Sequence, residues 1–120
     1  MSDEASAELG RVVPDPARMC GVRLVDTPQL VVGEWSMRGA AWTDRHQHDE
    51  VNYVLEGELH VTSEGVTTVV TAGAAVRVPA GQLARYAAPT FARMVYVYGP
   101  SADGHAATDT CYEELPNSNR

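Results

Sequence analysis

The sequence predicts one all-β domain, a barrel or a sandwich of two packed antiparallel sheets. Nine short runs of strand-like residues follow Val22, roughly one every 8–11 positions, and such spacing is typical of all-β domains. A Gly or Pro stands at nearly every break between two runs. No window has the caps and the periodicity of an amphipathic helix. With 120 residues, the chain can bury one hydrophobic core but not two.

The nine runs are bounded by residues that favour turns. In chain order the predicted strands are 22–27, 29–37, 40–46, 50–57, 58–65, 66–73, 74–81, 82–89 and 91–99. Gly57 and Gly65 each stand between two alternating runs, where a hairpin turn with positive φ is expected. Gly73, Pro79 and Gly81 enclose one short run. That run is therefore bounded on both sides.

The composition along the chain predicts three segments. Residues 1–21 are an N-terminal leader and arm, because small and acidic residues are followed by Pro14 and Pro16, which interrupt any regular element. Residues 22–100 form the barrel. Residues 101–120 are polar and are expected to lie on the surface as a C-terminal tail, in which only residues 110–115 have the character to dock.

Charge and cysteine content exclude several classes of function. The chain has nine basic and 16 acidic residues, a net charge of −7, and its scattered Arg residues form no basic stripe. We expect neither a nucleic-acid nor a membrane partner. Without any Lys, a catalytic Schiff base is impossible. Cys20 and Cys111 are far apart, and the acidic start is unlike a secretory leader, so we expect free thiols and a cytoplasmic location.

A candidate site lies in the segment DRHQHDE, where Asp44, His46, His48 and Glu50 occupy every second position. If this segment is a β-strand, all four side chains project from the same face. Imidazole and carboxylate together suit Zn, Mn, Fe, Ni or Cu. We therefore predict a divalent transition metal held by His46, His48 and Glu50. The same residues also suit acid–base chemistry without a metal, or a merely polar patch.

Neighbouring positions are predicted to complete a pocket for a small molecule. Trp42 precedes Asp44 by two residues, and Asn52 follows Glu50 by two, so they extend the same row. Trp35 alternates likewise on the preceding run. We predict that Trp35, Trp42 and Asn52 bind substrate, with ordinary core packing as the alternative for the aromatic residues.

Two stretches resemble the sequence motifs of the cupin superfamily. Glu50 and Gly57 have the spacing of the end of the first motif, and GAAVRVPAG at 73–81 matches the second. The resemblance covers roughly residues 34–99. It implies a single-domain cupin, an antiparallel β-barrel or jelly roll of two packed sheets with its site in the wider mouth. The segments HDEVNYVLEGELHVTSEG and ARMVYVYGP are also similar to cupin proteins of the EutQ type.

The resemblance aligns the candidate site with the metal ligands of cupins. The two His positions of the first motif fall on Asp44 and His46, and its Glu is Glu50. The His of the second motif falls on Ala84, which has no metal-binding atom. His48 is an additional imidazole, which some cupins carry at this place.

Three residues are the predicted catalytic groups. Tyr86 shares the parity of Ala84 and should face the same cavity, where its phenol can act as an acid; a packed aromatic is the alternative. Asp44 and Glu50 are carboxylates that can move protons.

The resemblance implies an enzyme acting on a small organic substrate, with the divalent metal as a Lewis acid in isomerase, cyclase, lyase or dioxygenase chemistry. One alternative is a metal-free binding or accessory cupin related to the EutQ type, which the loss of a ligand at Ala84 favours. Another is a metal-free acid–base catalyst that uses His46, His48 and Glu50. A homodimer is also implied, with residues 29–37 as a candidate contact strand.

Overall fold

The structure, a computed structural model, describes residues 13–100 and 107–116. Its strands are β1 (Met19–Asp26), β2 (Val31–Met37), β3 (Ala40–Arg45), β4 (Glu50–Ser63), β5 (Val66–Thr71), β6 (Ala75–Val78), β7 (Leu83–Ala88), β8 (Ala92–Tyr98) and β9 (Thr108–Glu114). All their pairings are antiparallel. The described part of the chain has no helix with the length and hydropathy of a membrane span. The predicted all-β class is confirmed.

The strands form two sheets that share β4. The first sheet has the order β1-β2-β8-β4-β6, and the second has the order β9-β3-β7-β4-β5. The 14-residue strand β4 pairs in the first sheet through residues 50–57 and in the second through residues 58–63. Because one strand belongs to both sheets, the sheets curl over each other and enclose the core.

Along each strand, alternate side chains point inward, and these inward side chains form the core. Val54 and Met94 come from the first sheet, Leu59 and Tyr86 from the second, and each is at most 1% exposed. Apolar burial of this kind is the main stabilising term of the fold, about 25 cal/mol for each Å² removed from water.

The hairpin predicted at Gly57 is wrong, because β4 continues through this residue. Gly57 has a φ of 80° and follows a β-bulge between Val54 and Glu56. A Cβ atom at Gly57 would collide with the carbonyl oxygen of Phe91. Glycine is thus required here by a bulge and a close backbone approach. Because a bulge and a turn both favour Gly, the sequence alone does not distinguish between them.

The hairpin predicted at Gly65 is confirmed. Glu64 and Gly65 connect β4 to β5, with φ values of 52° and 79°. Two successive positive φ values are those of a type I′ turn, whose twist matches that of the flanking strands.

The segment DRHQHDE is not one strand. Strand β3 ends at Arg45, β4 begins at Glu50, and residues 46–49 form a loop between the two sheets. Asp44 therefore lies in the second sheet and Glu50 in the first. The strand periodicity that we applied to all four candidate residues is interrupted at residues 46–49, so it holds for Asp44 within β3 and for Glu50 within β4 but does not join the four in one row.

The two ends of the described chain differ from the prediction: the first strand starts early, and the last strand was not indicated by the pattern. β1 begins at Met19, three residues before the predicted start. β9 lies within the predicted tail and pairs with β3, burying Tyr112. Residues 1–12, 101–106 and 117–120 lie outside the described residues. Because β2 runs between β1 and β8, residues 31–37 do not form a free edge.

Candidate metal centre in the barrel mouth

A cavity of about 350 Å³ opens at one end of the barrel, between the two sheets. Its aromatic lining residues are Trp35, Trp42, Tyr86, Tyr96 and Tyr98. Asp44, His46 and Glu50 also line it. The size falls in the range of small-molecule sites, which are mainly apolar with a few converging polar groups.

Three residues bring their ligand atoms together on the wall of this cavity. One donor atom from each of Asp44, His46 and Glu50 lies within 4.8 Å of the other two. His46 Nε2 is 2.9 Å from Glu50 Oε1 and 3.2 Å from Asp44 Oδ2. Both carboxylates are 6% exposed. Of the four alternating candidates, these three converge.

The loop between β3 and β4 explains this convergence. Asp44 is next to last in β3, Glu50 is the first residue of β4, and His46 follows directly after β3. In an extended strand, residues four positions apart are separated by about 13 Å. Because the chain turns from one sheet to the other after Arg45, His46 lies against both carboxylates instead.

Hydrogen bonds orient the two carboxylates. The Trp42 indole Nε1–H donates to Asp44 Oδ2 at 2.9 Å, and Asn52 Nδ2–H donates to Glu50 Oε2 at 3.0 Å. The Trp35 indole Nε1–H donates to Asn52 Oδ1 at 2.7 Å. Each acid is therefore held by a neighbour that is itself fixed by packing.

The three residues predicted to bind substrate are thus placed beside the acids. Trp35 and Trp42 line the cavity. Asn52 is completely buried and donates to Glu50, so it holds the Glu50 carboxylate in place instead of lining the cavity. The sequence indicated the shared row, but not that the amide and indole N–H groups are directed at carboxylates.

His48 lies apart from the three converging residues. It is buried at 7% exposure, and its ring stacks on that of Tyr98, with centroids 4.4 Å apart and planes inclined by 10°. Its ring centroid is 5.3 Å from that of His46. The structure therefore places His48 behind His46, in an aromatic stack, instead of among the donor atoms of the cluster.

The pKa of His46 is strongly perturbed. Burial lowers it, but the close interactions with the carboxylates of Asp44 and Glu50 outweigh burial and raise the pKa to about 10. In the absence of a metal, His46 is therefore an imidazolium between two acids at neutral pH. The pKa of Tyr86 is also raised, by burial and by the charges of Glu50 and Asp44. Tyr86 consequently remains a protonated phenol that can donate a hydrogen bond.

The donor set fits a divalent transition metal. One imidazole nitrogen and two carboxylate oxygens are ligands of the types that such ions accept. Glu50 Oε1 is buried and has no hydrogen-bond partner of acceptable geometry among the described residues, although His46 Nε2 is 2.9 Å away. The short distance describes an ion pair, while the N–H direction is not that of a hydrogen bond. A buried acceptor of this kind suits a cation.

Ala84 occupies the place opposite Asp44. The two residues are direct partners in the pairing of β3 with β7, and Ala84 is 1% exposed. No ligand can come from this position, so the residues that the structure describes bring three donors together here. Three protein ligands with further positions open are typical of catalytic metal sites.

Several residues that line the mouth were not assigned to the site from the sequence. Tyr96 and Tyr98 line the cavity from β8, and Arg23 lines it from β1. Arg23 Nη2–H donates to the Tyr98 hydroxyl at 3.1 Å. The alternation of β8 places both tyrosines on one face, a signal that was available. Nothing in the sequence indicated that β1 closes the mouth.

Comparison with known proteins agrees with this architecture. The family model described as ethanolamine utilisation protein EutQ matches residues 17–104. Ethanolamine utilization protein Q of Salmonella typhimurium LT2 is 32% identical, with a TM-score of 0.65 over 68% of this chain and 69% of that one. The Clostridium difficile EutQ protein is 24% identical, with a TM-score of 0.66 over 78% and 72%. Among curated proteins there is no match.

A third solved structure supports the broader fold assignment. An RmlC-like cupin from Shewanella frigidimarina is 27% identical, with a TM-score of 0.65 over 72% of this chain and 79% of that one. The resemblance inferred from the two motifs is therefore confirmed. The chain belongs to the EutQ family and has the cupin fold.

Proposed function

We propose that the barrel mouth binds a divalent transition metal through Asp44, His46 and Glu50, and that the chain is an enzyme for a small organic molecule. The observation that carries this proposal is the convergence of three donor atoms within 4.8 Å on the wall of a cavity of about 350 Å³. When bound, such an ion supplies a Lewis acid that polarises an oxygen of the substrate.

This ligand set replaces the one predicted from strand periodicity. His46 and Glu50 remain ligands, Asp44 joins them, and His48 becomes a support behind His46. We leave His48 out of the ligand set because its ring stacks on Tyr98, whereas the donor atoms of the other three residues converge. The three residues also occupy the positions to which the cupin resemblance assigns ligands.

The remaining lining groups have separate roles. Trp35 and Trp42 use their indole N–H groups on Asn52 and Asp44, so their rings are left to contact the apolar body of a substrate. The Tyr86 phenol, kept protonated by burial and by the nearby acids, can donate a hydrogen bond or a proton to a substrate oxygen. Isomerase, cyclase and lyase reactions use a Lewis acid and a proton donor of this kind, and dioxygenase chemistry would in addition need a redox-active ion such as Fe.

A metal-free role is the second candidate, and two observations favour it. His46 has a pKa raised to about 10, and Ala84 removes the cross-strand ligand. An imidazolium held between two carboxylates is a general acid with two bases beside it. The family name links relatives to ethanolamine utilisation, so ethanolamine is one probe for ligand binding to the metal-free protein.

The two candidates are separated by metal titration of tag-free protein. Both tryptophans of the chain line the cavity, so their fluorescence reports on the site. We expect one equivalent of Zn, Mn, Fe, Ni or Cu to bind, and Asp44→Asn, His46→Gln and Glu50→Gln each to weaken binding at least about 100-fold, because a three-donor site loses one ligand.

His60→Gln is the matched control, because His60 also contacts a carboxylate, that of Glu58 at 3.2 Å, but lies outside the cavity lining. Its metal affinity should equal that of the unmodified chain. Absence of metal uptake by the unmodified chain, with each of these ions, would exclude the first candidate and leave the metal-free one.

A further inference from the structure

A group of hydrogen-bond donors lines the barrel mouth on the side of β1, away from the three candidate metal ligands. One cross-strand row of the first sheet contains Arg23, Gly33, Tyr96 and Asn52, each paired with the next. Arg23 and Asn52 are therefore separated by three strand spacings, about 14 Å between backbones. Because Asn52 donates to Glu50, Arg23 lies at the far end of the cavity from that candidate ligand.

Gly33 lets the phenol of Tyr96 extend towards Arg23. A Cβ atom at Gly33 would collide with the ring and the hydroxyl of Tyr96, so this phenol covers the backbone of Gly33. Since Gly33 is the direct partner of Arg23, the Tyr96 hydroxyl lies beside Arg23. The Tyr98 hydroxyl accepts a hydrogen bond from Arg23 Nη2–H at 3.1 Å, and the two tyrosine rings are stacked. We call Arg23, Tyr96 and Tyr98 the donor cluster.

The donor cluster has hydrogen-bonding capacity that the chain itself does not use. Arg23 donates to Asp26 and to Tyr98, and a guanidinium has further N–H groups besides these two. Because Tyr98 accepts from Arg23, its own O–H points elsewhere, and burial raises the pKa of this phenol, so it keeps its proton. Among residues 13–100 and 107–116, neither the Tyr96 nor the Tyr98 hydroxyl donates to an acceptor. The unused N–H and O–H groups suit a ligand group that only accepts hydrogen bonds.

The two ends of the cavity also differ in charge. Asp44 and Glu50 form the acidic end, which the ion of the proposed function would neutralise, whereas Arg23 makes the other end basic. Asp26, the acid that pairs with Arg23, is outside the cavity lining. Its side chain is 62% exposed, and an ion pair this open to water is weak. Between the two ends, aromatic rings such as that of Trp35 form the walls.

These observations define the chemical class of the substrate. We propose that the donor cluster binds a carboxylate, so that the substrate is a small organic acid with an apolar body and a second oxygen that faces the metal site. A carboxylate accepts paired N–H bonds from a guanidinium in a planar geometry, and it accepts O–H groups as well. The inference rests on the proposed function, because the same cavity holds the substrate. Arg23 is thereby a residue that determines specificity and takes no part in holding the metal.

The test compares organic acids with their neutral amides by calorimetric titration of the full chain. The probes are benzoate, phenylacetate and 3-phenylpropanoate, each matched by the amide of the same shape. We expect at least one acid to bind about tenfold or more tightly than its amide, the effect of hydrogen bonds between charged groups. Arg23→Gln should remove this preference and leave the affinity for the amide unchanged. Tyr98→Phe removes one donor of the cluster and should reduce the preference less.

Arg77→Gln is the matched control. Arg77 also pairs with an acid, Asp49 at 2.6 Å. Its side chain is 58% exposed, close to the 54% of Arg23, but it lies outside the cavity lining. The preference for the acid should therefore be the same in Arg77→Gln as in the unmodified chain.

Two outcomes would overturn the inference. One is that no acid is preferred over its amide, including the case in which no acid binds at about 10 mM, where even a millimolar ligand would fill most sites. The other is a preference that persists in Arg23→Gln. Metal affinity is a separate readout, and Arg23→Gln should bind metal as the unmodified chain does. If the chain took up no metal, the proposed function would fail, and the comparison of acids with amides in the presence of a chelator would still decide this inference.

Discussion

His46 Nε2 lies 2.9 Å from Glu50 Oε1, although the two residues belong to a loop and to the strand that follows it. The same nitrogen is 3.2 Å from Asp44 Oδ2, on the opposite sheet. Side chains from the two sheets and from the loop that connects them therefore converge around one point. Only one cation, whether a proton on the imidazole or a metal ion, can occupy the point between the three groups.

Restoring a ligand at Ala84 should strengthen metal binding. Ala84 pairs directly with Asp44, and Ala84→His adds a fourth donor from β7. We expect the metal affinity to rise about tenfold or more, because structural sites with four ligands bind more tightly than open ones. Ala84→Leu adds similar bulk without a donor and should not raise the affinity. Equal metal affinities for the two variants would show that a side chain at position 84 does not reach the metal.

Metal affinity should increase with pH beyond the range of an ordinary histidine. The ion displaces one proton from His46, whose pKa is raised to about 10. The apparent affinity should rise about tenfold per pH unit from about pH 6.5 to 8.5. An imidazole with an unperturbed pKa of about 6.5 would level off near pH 7. Fluorescence titrations with Mn²⁺ at several pH values measure the slope, and a plateau above pH 7 would contradict the pairing of His46 with both acids.

The metal-free protein should lose stability as the pH rises. The pKa of His46 is higher in the folded than in the unfolded chain, so folding is favoured by its proton. Its contribution is fully present below about pH 6.5 and is lost as the pH approaches 10, with a slope of up to about 1.4 kcal/mol per pH unit. Urea unfolding in the presence of a chelator measures this loss. His46→Gln should show a flatter pH dependence over the same range.

Removing the Asn52 side-chain amide should affect both the site and the fold. In Asn52→Leu, Glu50 loses a donor and the Trp35 indole N–H loses its acceptor. We expect metal affinity to fall about 10- to 100-fold, as for other residues that orient metal ligands. Stability should fall by about 1–3 kcal/mol, the effect of a buried unsatisfied donor. Trp35→Phe removes only the distal hydrogen bond and should have a smaller effect on affinity.

A comparison of two glycines with similar φ values distinguishes the cost of backbone strain from the cost of a steric collision. Gly57→Ala and Gly65→Ala both place a Cβ at a φ near 80°. The Cβ at Gly57 would meet the Phe91 carbonyl, whereas nothing lies within 4 Å of the one at Gly65. We expect Gly65→Ala to cost about 1–2 kcal/mol and Gly57→Ala clearly more. Similar losses in urea unfolding would mean that β4 relaxes freely at its bulge.

The sequence predicted more of the fold than of the site. Alternation and turn residues located the strands, because those signals are local. The predicted run 40–46 ends within one residue of β3. The change from one sheet to the other after Arg45 was not predicted, since DRHQHDE alternates as regularly as a strand does. Alignment to the cupin motif nevertheless marked Asp44, His46 and Glu50 as equivalent to ligands. The position of His48 and the closing of the mouth by β1 depend on packing between distant segments, which no local pattern encodes.

Strand β4 pairs with four others, β5, β6, β7 and β8, whereas β1 pairs along one side only, with β2. In native-state hydrogen exchange, amides of the best-paired elements open only with global unfolding, and edges open locally. We therefore expect Glu50 to stand at the start of a slowly exchanging strand, and Arg23 to belong to an edge strand that exchanges faster. Ligands should enter and leave past β1, while the geometry of the three converging residues survives each opening.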